Sequence, residues 1–439
     1  MSVLPLTRRS IFAQAWPIML GQTTVPLVGI VDTFVIGRTG DVAALAGVAL
    51  GTTIINFLFW SFGFLRMGMT GMTAQAAGSK DDAEVGAMLV RGLAIGLAMG
   101  AALFALQLLL IPAAFAVLAG GPELDVAARA YVGARFLGGP ASLAVFAING
   151  WLLGLGRSRD ALLLSIVMNL FNAALDILFV WHFDLGARGV GLGTASAEWI
   201  ALAFGLWLVR PHLHALRDRA CLLDAAALKR LFAVNADIMV RTVALLILFT
   251  WFTNAGARLG AETLAANQVL MQAVALVAFV LDGFAFTAES RVGQAIGAGN
   301  RSDLLRAIRL TGEFSLGVAI LAGAMIWATG APAIRLLIAN GAVQDQAIAL
   351  LPFVIVLPLI GMPAWLLDGV FIGATAGRAL RNAAILSTAL YIVTDYALRP
   401  FADVGVWVGL LASYLYRAGT LGLYLPRLLD SVARAGPRP

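Results

Sequence analysis

The chain has 439 residues, of which 61% are hydrophobic and only 12% are charged, and its mean hydropathy is +0.90. This composition excludes a soluble globular protein, so the bilayer is the solvent for most of the chain. The net charge of +6 is spread over alternating loops and is not interleaved with aromatic residues, which excludes a nucleic-acid partner. The single cysteine, Cys221, excludes an internal disulfide.

Apolar segments long enough to span a membrane recur along the whole chain. The first, Ile11–Gly37, lacks a small-residue cleavage site and contains polar residues, so we interpret it as a membrane span and not as a signal peptide. Later examples are Val85–Leu118, Ala161–Val180, Val243–Phe252, Leu304–Ile326 and Ala383–Tyr396. Roughly six spans fit each half, so about twelve transmembrane helices are predicted.

The two halves of the sequence are similar to each other. Gln75, for example, recurs as Gln294, 219 positions later. An even number of spans per half gives both copies the same orientation, which predicts parallel repeats related by a pseudo-two-fold axis along the membrane normal. The predicted fold is an all-α membrane protein with an N-terminal six-helix lobe (1–210), a cytoplasmic linker (211–228) and a C-terminal six-helix lobe (229–439).

Positive charge is distributed unevenly between the predicted loops. With a cytoplasmic N-terminus, the cytoplasmic side receives most of the loop Lys and Arg residues, and the opposite loops hold mainly Arg38, Arg188, Arg258 and Arg399. By the positive-inside rule, both termini are expected in the cytoplasm. The expected location is an inner membrane of the bacterial type.

Ionisable residues inside a membrane span are costly to bury, so each raises a functional question. Asp32 lies near the outer end of the first span. The fifth span carries Asn169, Asn172 and Asp176, and their spacing of three and four residues places them on one helical face. A carboxylate beside amide oxygens can hold a proton or a small cation. The alternative interpretation is that Asp176 only hydrogen-bonds a neighbouring helix.

A carboxylate pair is predicted only in the first half. Asp395 repeats Asp176 in the second half, whereas Phe252 occupies the position equivalent to Asp32. Three more polar residues of the first half lie on separate predicted spans with apolar surroundings: Tyr131, Asn149 and Thr194.

The second half contains acidic residues of its own. Asp237 and Arg241 are four residues apart on one predicted helix and are expected to pair. Asp282 and Asp368 have no cation nearby in the sequence, which makes them candidates for a substrate cavity. The sequence assigns no partner to four further charged residues: Arg66, Arg135, Glu198 and Arg417.

Motifs of enzymes are missing from the sequence. It contains no H-E-x-x-H, no Walker A loop, no G-x-S-x-G and no Cys/His metal-binding spacing. With only three histidines, a metal site is not expected, and neither is a cofactor. We therefore expect a protein that is not an enzyme and whose transport is driven by an ion gradient.

Four segments carry a resemblance to a known family. They begin at Val31 (VDTFVIGRTGDVAALAGVALG), Asn169 (NLFNAALDILFV), Asp282 (DGFAFTAESRVGQAIGAG) and Asp368 (DGVFIGATAGRALRN). These segments resemble the multidrug and toxic compound extrusion (MATE) family, and more closely its DNA-damage-inducible protein F branch. The resemblance implies twelve helices in two lobes around a V-shaped cavity. It also implies export of organic cations and other drugs in exchange for protons or sodium ions.

The resemblance also implies roles for particular residues. The residues expected to couple transport to an ion are Asp32, Asn172, Asp176 and Thr194. Tyr131 and Asn149 match polar residues of the family's fourth helix and Asp368 matches an acid of the tenth. Together with Asn169 and Asp282, these three are expected to line the substrate cavity or to support the coupling site. Pro17 matches the family's bending proline.

The predicted function is secondary antiport that expels hydrophobic or cationic drug-like compounds, carried out by a monomer. Protons are the expected coupling ion, with protonation of Asp32 and Asp176 displacing the substrate. Sodium ions are the alternative, because Asn172, Thr194 and backbone carbonyls could help to supply the roughly five or six oxygens that such a cation needs. The alternative function is a flippase for a lipid-linked or amphiphilic substrate in the same fold.

Overall fold

The computed structural model describes residues 5–117, 121–217 and 224–435, which form α-helices joined by short connections, with no strand among them. The helices are α1 (Arg8–Thr23), α2 (Val25–Gly37), α3 (Val42–Trp60), α4 (Phe64–Gly78), α5 (Asp82–Val117), α6 (Pro122–Phe136), α7 (Gly139–Gly154), α8 (Ser158–Ile177), α9 (Gly186–Val209), α10 (Ala225–Arg258), α11 (Ala261–Gly297), α12 (Arg301–Leu337), α13 (Gly341–Gly373), α14 (Gly377–Leu398) and α15 (Ala402–Ala435). A π-helical turn, Leu178–His182, follows α8, and 3-10 helices follow α9 (Arg210–Arg217) and α14 (Arg399–Phe401). The predicted all-α class is confirmed. Cys221 and residues 218–223 of the predicted linker lie outside the described residues.

Most of these helices are membrane spans by length and composition. Within the described ranges nine helical stretches are long and apolar enough to cross a membrane, and the pair α6–α7, bent by 52°, makes a tenth. Helices α14 and α15 have 22 and 34 residues, which is also long enough to span. Counting these two, the described chain contains the twelve long segments that the sequence predicts.

Polar side chains mark where several helices begin. The Asp41 carboxylate accepts a hydrogen bond from the Ala44 N–H at 2.9 Å at the start of α3. The Asn300 amide oxygen accepts one from the Asp303 N–H at 3.1 Å at the start of α12. Such caps satisfy backbone groups that a first helical turn leaves without partners.

The described residues form two compact units. The N-unit consists of Thr23–Thr73 and Asp81–Arg230, and the C-unit consists of the described residues of Met1–Gln22, Ala74–Lys80 and Leu231–Pro439. The contact units therefore differ from the two sequence repeats, because α1 and the end of α4 belong to the first repeat and to the C-unit.

Small residues let helices approach closely inside the N-unit. A Cβ placed on Gly96 of α5 would lie 2.7 Å from the carbonyl oxygen of Leu143 on α7. One placed on Gly100 would lie 2.4 Å from Pro140 Cα. Membrane helices associate mainly through such close packing, because lipid provides no hydrophobic force between them.

The C-unit has a buried aromatic core that includes one polar anchor. The Trp407 indole is fully buried and packs edge-on against the Phe252 ring, with 5.4 Å between the ring centroids. Its Nε1 donates a hydrogen bond to the buried Asn267 Oδ1 at 2.8 Å. The indole N–H is therefore satisfied without water.

A reciprocal contact joins the end of α4 to the end of α11 within the C-unit. A Cβ placed on Gly78 would lie 2.0 Å from the Gln294 carbonyl oxygen, and one placed on Gly297 would lie 2.0 Å from the Gln75 carbonyl oxygen. The Gln75 amide also donates to the Gly373 carbonyl oxygen at 3.0 Å. Only glycine fits at these two positions while the backbones remain this close.

The first membrane span is divided into two helices. Helix α1 ends at Thr23 and α2 begins at Val25, with Pro26 in the first turn of α2. Pro17, which the family resemblance designates as the bending residue, lies buried inside α1. The interruption coincides with Pro26, where a missing N–H is tolerated because it is at the start of a helix.

Large apolar side chains cover the outer faces of the helices. Leu108 on α5, Leu336 on α12 and Leu423 on α15 are 80%, 86% and 80% exposed. Apolar side chains so exposed on long apolar helices are typical of a surface that faces lipid.

Candidate functional site

Two acidic residues of the N-unit meet in its interior. Asp32 on α2 is 4% exposed, and Asp176 near the end of α8 is fully buried. Their carboxyl groups lie close enough to interact with each other. An ionised carboxylate has no donor, so a hydrogen bond between two carboxyl groups forms only when one of them carries a proton. The predicted carboxylate pair of the first half therefore exists as a geometric pair.

Asn172 fixes the orientation of this pair. Its Nδ2 donates to Asp176 Oδ2 and to Thr194 Oγ1, both at 3.0 Å, and its side chain also contacts Asp32. The Thr194 hydroxyl donates in turn to the Val190 carbonyl oxygen at 3.1 Å. The structure thus brings together all four residues that the sequence analysis assigns to ion coupling.

Several oxygens of the cluster have no donor facing them. In the described part of the chain no N–H or O–H donates to the buried atoms Asp32 Oδ1, Asn172 Oδ1 and Asp176 Oδ1. Buried polar atoms without partners are rare and call for an explanation. Carboxyl and amide oxygens without donors can hold a proton or, with further ligands, a cation.

A glycine lets α9 reach the pair. A Cβ placed on Gly193 would lie 2.0 Å from Asp176 Oδ1 and 2.9 Å from Asp176 N. Any side chain at this position would displace the carboxylate. Gly193 is not among the predicted site residues.

Tyr131 lies beside the carboxyl cluster. It is 2% exposed, and its hydroxyl accepts a hydrogen bond from Thr52 Oγ1 at 3.2 Å. Tyr131 also interacts electrostatically with Asp32 and Asp176. The contact with Thr52 was not predicted, because two residues 79 positions apart show no relation in the sequence.

A buried ion pair lies one helical turn from Tyr131 and Thr194. Arg135 Nη2 lies 3.0 Å from Glu198 Oε1, and the two side chains are 8% and 6% exposed. A Cβ placed on Gly138 would lie 2.0 Å from Glu198 Oε2. The sequence left both residues without partners, although a signal was present: each lies four residues after a site residue, Tyr131 or Thr194, and so on the same helical face.

Two other predicted residues, Asn169 and Asn149, have different surroundings. The Asn169 amide donates to the Thr24 carbonyl oxygen at 3.4 Å, at the break between α1 and α2. Asn149 on α7 has a buried Oδ1 with no hydrogen-bond partner among the described residues. Neither makes a hydrogen bond to the carboxyl pair in the described part of the chain.

The predicted ion pair of the C-unit is wrong. Asp237 pairs with Arg381, with Nη1 2.7 Å from Oδ1, and Arg241 contacts Asp368 instead. Arg417 Nε lies 3.8 Å from the same Asp368 carboxylate. Asp368 has no cation nearby in the sequence, but the fold brings cations to it from α10 and α15, which are distant in the sequence. Asp282, the other cavity candidate, is partly buried on α11.

Asp395, the repeat of Asp176, has a different environment. Its Oδ2 accepts hydrogen bonds from Arg258 Nη2 at 2.7 Å and Trp251 Nε1 at 2.9 Å. A cavity of about 240 Å³ adjoins it, with Arg399 also in its wall. Asp395 is thus paired with an arginine, whereas Asp176 lies beside a second carboxyl group, so the two copies of this acid have different partners. No group of three metal-ligating side chains occurs among the residues that the structure describes.

The helical architecture and the buried carboxyl pair define a multi-pass membrane transporter of duplicated design. A family model described as MatE matches the chain twice, over residues 17–178 and 238–397. The chain belongs to the MATE family. The two matches lie about 220 residues apart, in agreement with the repeat seen in the sequence.

Curated relatives and solved structures are consistent with this assignment. The DNA damage-inducible protein F of Escherichia coli (strain K12) is 36% identical over 93% of this chain and 90% of its own length. A probable multidrug resistance protein NorM of Aromatoleum aromaticum is 28% identical over 78% of this chain and 76% of its own length. A structure of MATE in the bent conformation superposes with a TM-score of 0.89 at 18% identity, covering 97% of this chain and 96% of that one. The predicted family and its DNA-damage-inducible protein F branch are confirmed.

Proposed function

We propose that this protein is a secondary exporter that expels hydrophobic or cationic drug-like compounds in exchange for protons. Relatives named as multidrug resistance proteins support the substrate class. The observation that carries the coupling mechanism is the contact between Asp32 and Asp176, two buried carboxyl groups close enough to share a proton.

The proton controls how α2 and α8 pack. With one proton present, Asp32 and Asp176 form a hydrogen bond and the two helices stay together. Without it, two negative charges face each other in a medium of low dielectric and repel. Because α2 is separated from α1 at Thr24, α2 can move without carrying the whole first span. Conformations that differ in this contact bind protons with different affinity, and any coupling ion must show such a difference to do work.

Protons fit this site better than sodium ions do. The cluster offers three buried oxygens without donors, and the Thr194 hydroxyl already bonds to Asn172 and to the backbone. A sodium ion needs about five or six oxygen ligands, by analogy with the oxygen-rich sites of other hard cations. A single proton needs only the two carboxyl groups. Sodium therefore remains the alternative coupling ion.

The remaining properties follow from the membrane setting. The protein acts as a monomeric transporter and not as an enzyme, in an inner membrane of the bacterial type and with both termini in the cytoplasm. The distribution of loop Arg and Lys residues supports this orientation. No resident cofactor is needed, because the ion gradient supplies the free energy.

The test uses liposomes that contain only this protein. With an acidic interior, the wild type should accumulate the fluorescent cation ethidium as protons leave, and a sodium gradient at equal pH should have no such effect. Asp32→Asn should abolish uptake, because it keeps the shape of the side chain and removes the titratable group. The matched control is Asp41→Asn, since Asp41 is an exposed helix cap and asparagine also caps helices well.

Each outcome of this test has a definite meaning. Uptake driven only by sodium would replace the proton as the coupling ion. Full activity in Asp32→Asn would exclude the carboxyl pair from coupling. Scrambling of labelled lipid without ethidium uptake would favour the flippase alternative.

A further inference from the structure

We propose that Glu198 is a second proton-binding carboxyl group of the transporter. In this proposal the positively charged Arg135 side chain can pair either with Glu198 or with the Asp32/Asp176 pair. The inference rests on the proposed proton coupling. It extends the site by one helical turn and gives the transporter a second titrating group.

The ion pair and the coupling site lie on the same pair of helices, α6 and α9. Tyr131 and Arg135 are four residues apart on α6, and Thr194 and Glu198 are four apart on α9, so each pair is separated by about 6 Å along its helix axis. The helices approach closely here, since a Cβ placed on Gly191 of α9 would lie 2.6 Å from the Tyr131 carbonyl oxygen. The ion pair is therefore a continuation of the coupling site and not a separate feature.

A single hydrogen bond joins the two side chains of the ion pair. Arg135 Nη2 meets Glu198 Oε1 at 3.0 Å, while Arg135 Nη1 and Glu198 Oε2 are buried and have no hydrogen-bond partner in the described ranges. A stabilising bridge between arginine and a carboxylate is commonly bidentate. Here one donor and one acceptor remain available, which allows the arginine to exchange partners and the carboxylate to take a proton.

Arg135 is close enough to interact with every acid of the site. It interacts electrostatically with Asp32, Asp176 and Glu198, and its guanidinium lies 5.5 Å from the centre of the Phe59 ring. Glu198 also faces the Ser142 hydroxyl of α7.

The other helices packed on α9 differ in the ionisable residues that they contain. Helices α3 and α7 contain no ionisable side chain, and α2 contributes only Asp32. Helix α8 adds Asp176 and, at its opposite end, Arg159 and Asp160, and α6 adds three more charged residues near its start: Glu123, Asp125 and Arg129. The π-helical turn after α8 adds His182, and the 3-10 helix after α9 adds four more ionisable residues: Arg210, His212, His214 and Arg217. Among the side chains that the structure describes, the Arg135 guanidinium and the Ser142 hydroxyl are the ones that interact with Glu198.

Charge balance requires a second proton in this cluster. The site combines three carboxyl groups with one guanidinium. A single proton shared by Asp32 and Asp176 leaves a net charge of −1, and a second proton makes the cluster neutral. Because uncompensated charge inside a membrane protein is costly, the closed cluster is favoured when two of its carboxyl groups are protonated.

Arg135 couples the two protons. A proton that binds Glu198 Oε2 neutralises that carboxylate and releases the guanidinium. The guanidinium can then pair with whichever carboxylate of Asp32 and Asp176 is still ionised, so the cluster is neutral with two protons bound. Both protons leave when a cationic substrate binds, so Glu198 accounts for one of the two protons released and no other reactant is needed.

The experiment compares matched neutral variants in the same liposomes and in detergent. Glu198→Gln is compared with Glu84→Gln, because Glu84 of the same unit also pairs with a buried arginine, Arg91, at 2.8 Å. Expected results for Glu198→Gln are an at least tenfold lower ethidium uptake, a flattened pH profile and about half the proton release on ethidium binding. Glu84→Gln should keep the wild-type pH profile, and Glu198→Asp should restore part of the response.

A double variant separates this role from a structural one. Glu198→Gln alone leaves Arg135 without its counter-charge. The double variant Glu198→Gln with Arg135→Gln is therefore also measured, because it removes both charges and leaves no unpaired charge in the interior. This double variant should fold and still lack the second pH-dependent step. A wild-type pH profile in the double variant, or in the residual activity of Glu198→Gln, would show that the ion pair is only structural. If the wild type itself shows no uptake driven by a pH gradient, the proposed function has failed instead.

Discussion

Replacement of Gly193 by alanine would test the geometry of the carboxyl pair directly. The added methyl group would lie 2.0 Å from Asp176 Oδ1, whereas non-bonded atoms settle at about 3.5 Å. Either the carboxyl group or helix α9 must therefore move by roughly 1.5 Å. Accepted N–H···O distances span only about 0.5 Å, so we expect the hydrogen bond from Asn172 to Asp176 to break.

The magnitude follows from the crowding. Inserting a methyl group into a packed interior typically costs about 1–3 kcal/mol. The matched control is Gly133→Ala on α6 of the same unit, where a Cβ would have no atom within 4 Å. In a helix this control should be neutral or stabilising by up to about 1 kcal/mol. The two variants add the same atom type, so their difference measures the contact with Asp176.

The assay combines the melting temperature in detergent with ethidium uptake driven by a pH gradient. Gly193→Ala should melt below the wild type and lose most of its uptake, and Gly133→Ala should retain both. If Gly193→Ala matched Gly133→Ala in melting temperature and uptake, Asp176 would not occupy the position described here, and the account of the carboxyl pair would be wrong.

Two further predictions concern the charges of the C-unit, and both are measured by thermal melting of single and double variants. Asp237→Ala should be modestly destabilising and should couple to Arg381→Ala by about 0.2–1 kcal/mol, because the Asp237 and Arg381 side chains are 17% and 36% exposed. Coupling to Arg241→Ala instead would restore the pairing expected from the sequence. Asp368→Asn should cost about 3–5 kcal/mol, since it leaves Arg241, whose side chain is only 12% exposed, without its acid. A second change, Arg241→Gln, should recover most of that loss, and no recovery would mean that another group balances Arg241.

The sequence predicted those features that depend on short-range patterns. Apolar runs revealed the helices, and the spacing from Asn172 to Asp176 correctly placed an amide beside an acid on one helical face. The same four-residue rule failed for Asp237 and Arg241, because that spacing permits a contact without requiring it. Arg381, 144 positions away, reaches Asp237 once α10 and α14 are folded. The spacing of Arg135 from Tyr131 and of Glu198 from Thr194 indicates that both lie on the helical faces of the site. It does not indicate that they pair, because the pairing depends on how α6 packs against α9.

The contact between Gln75–Gly78 and Gln294–Gly297 has a consequence for the history of the chain. Each glycine meets the glutamine carbonyl of the other copy, so residue i contacts residue j and residue j contacts residue i. This is the self-complementary pattern of a two-fold dimer interface. A protein with a single copy of the sequence could have made the same contact only by binding a second molecule of itself. In a chain that carries both copies, the same contact is intramolecular and does not depend on concentration.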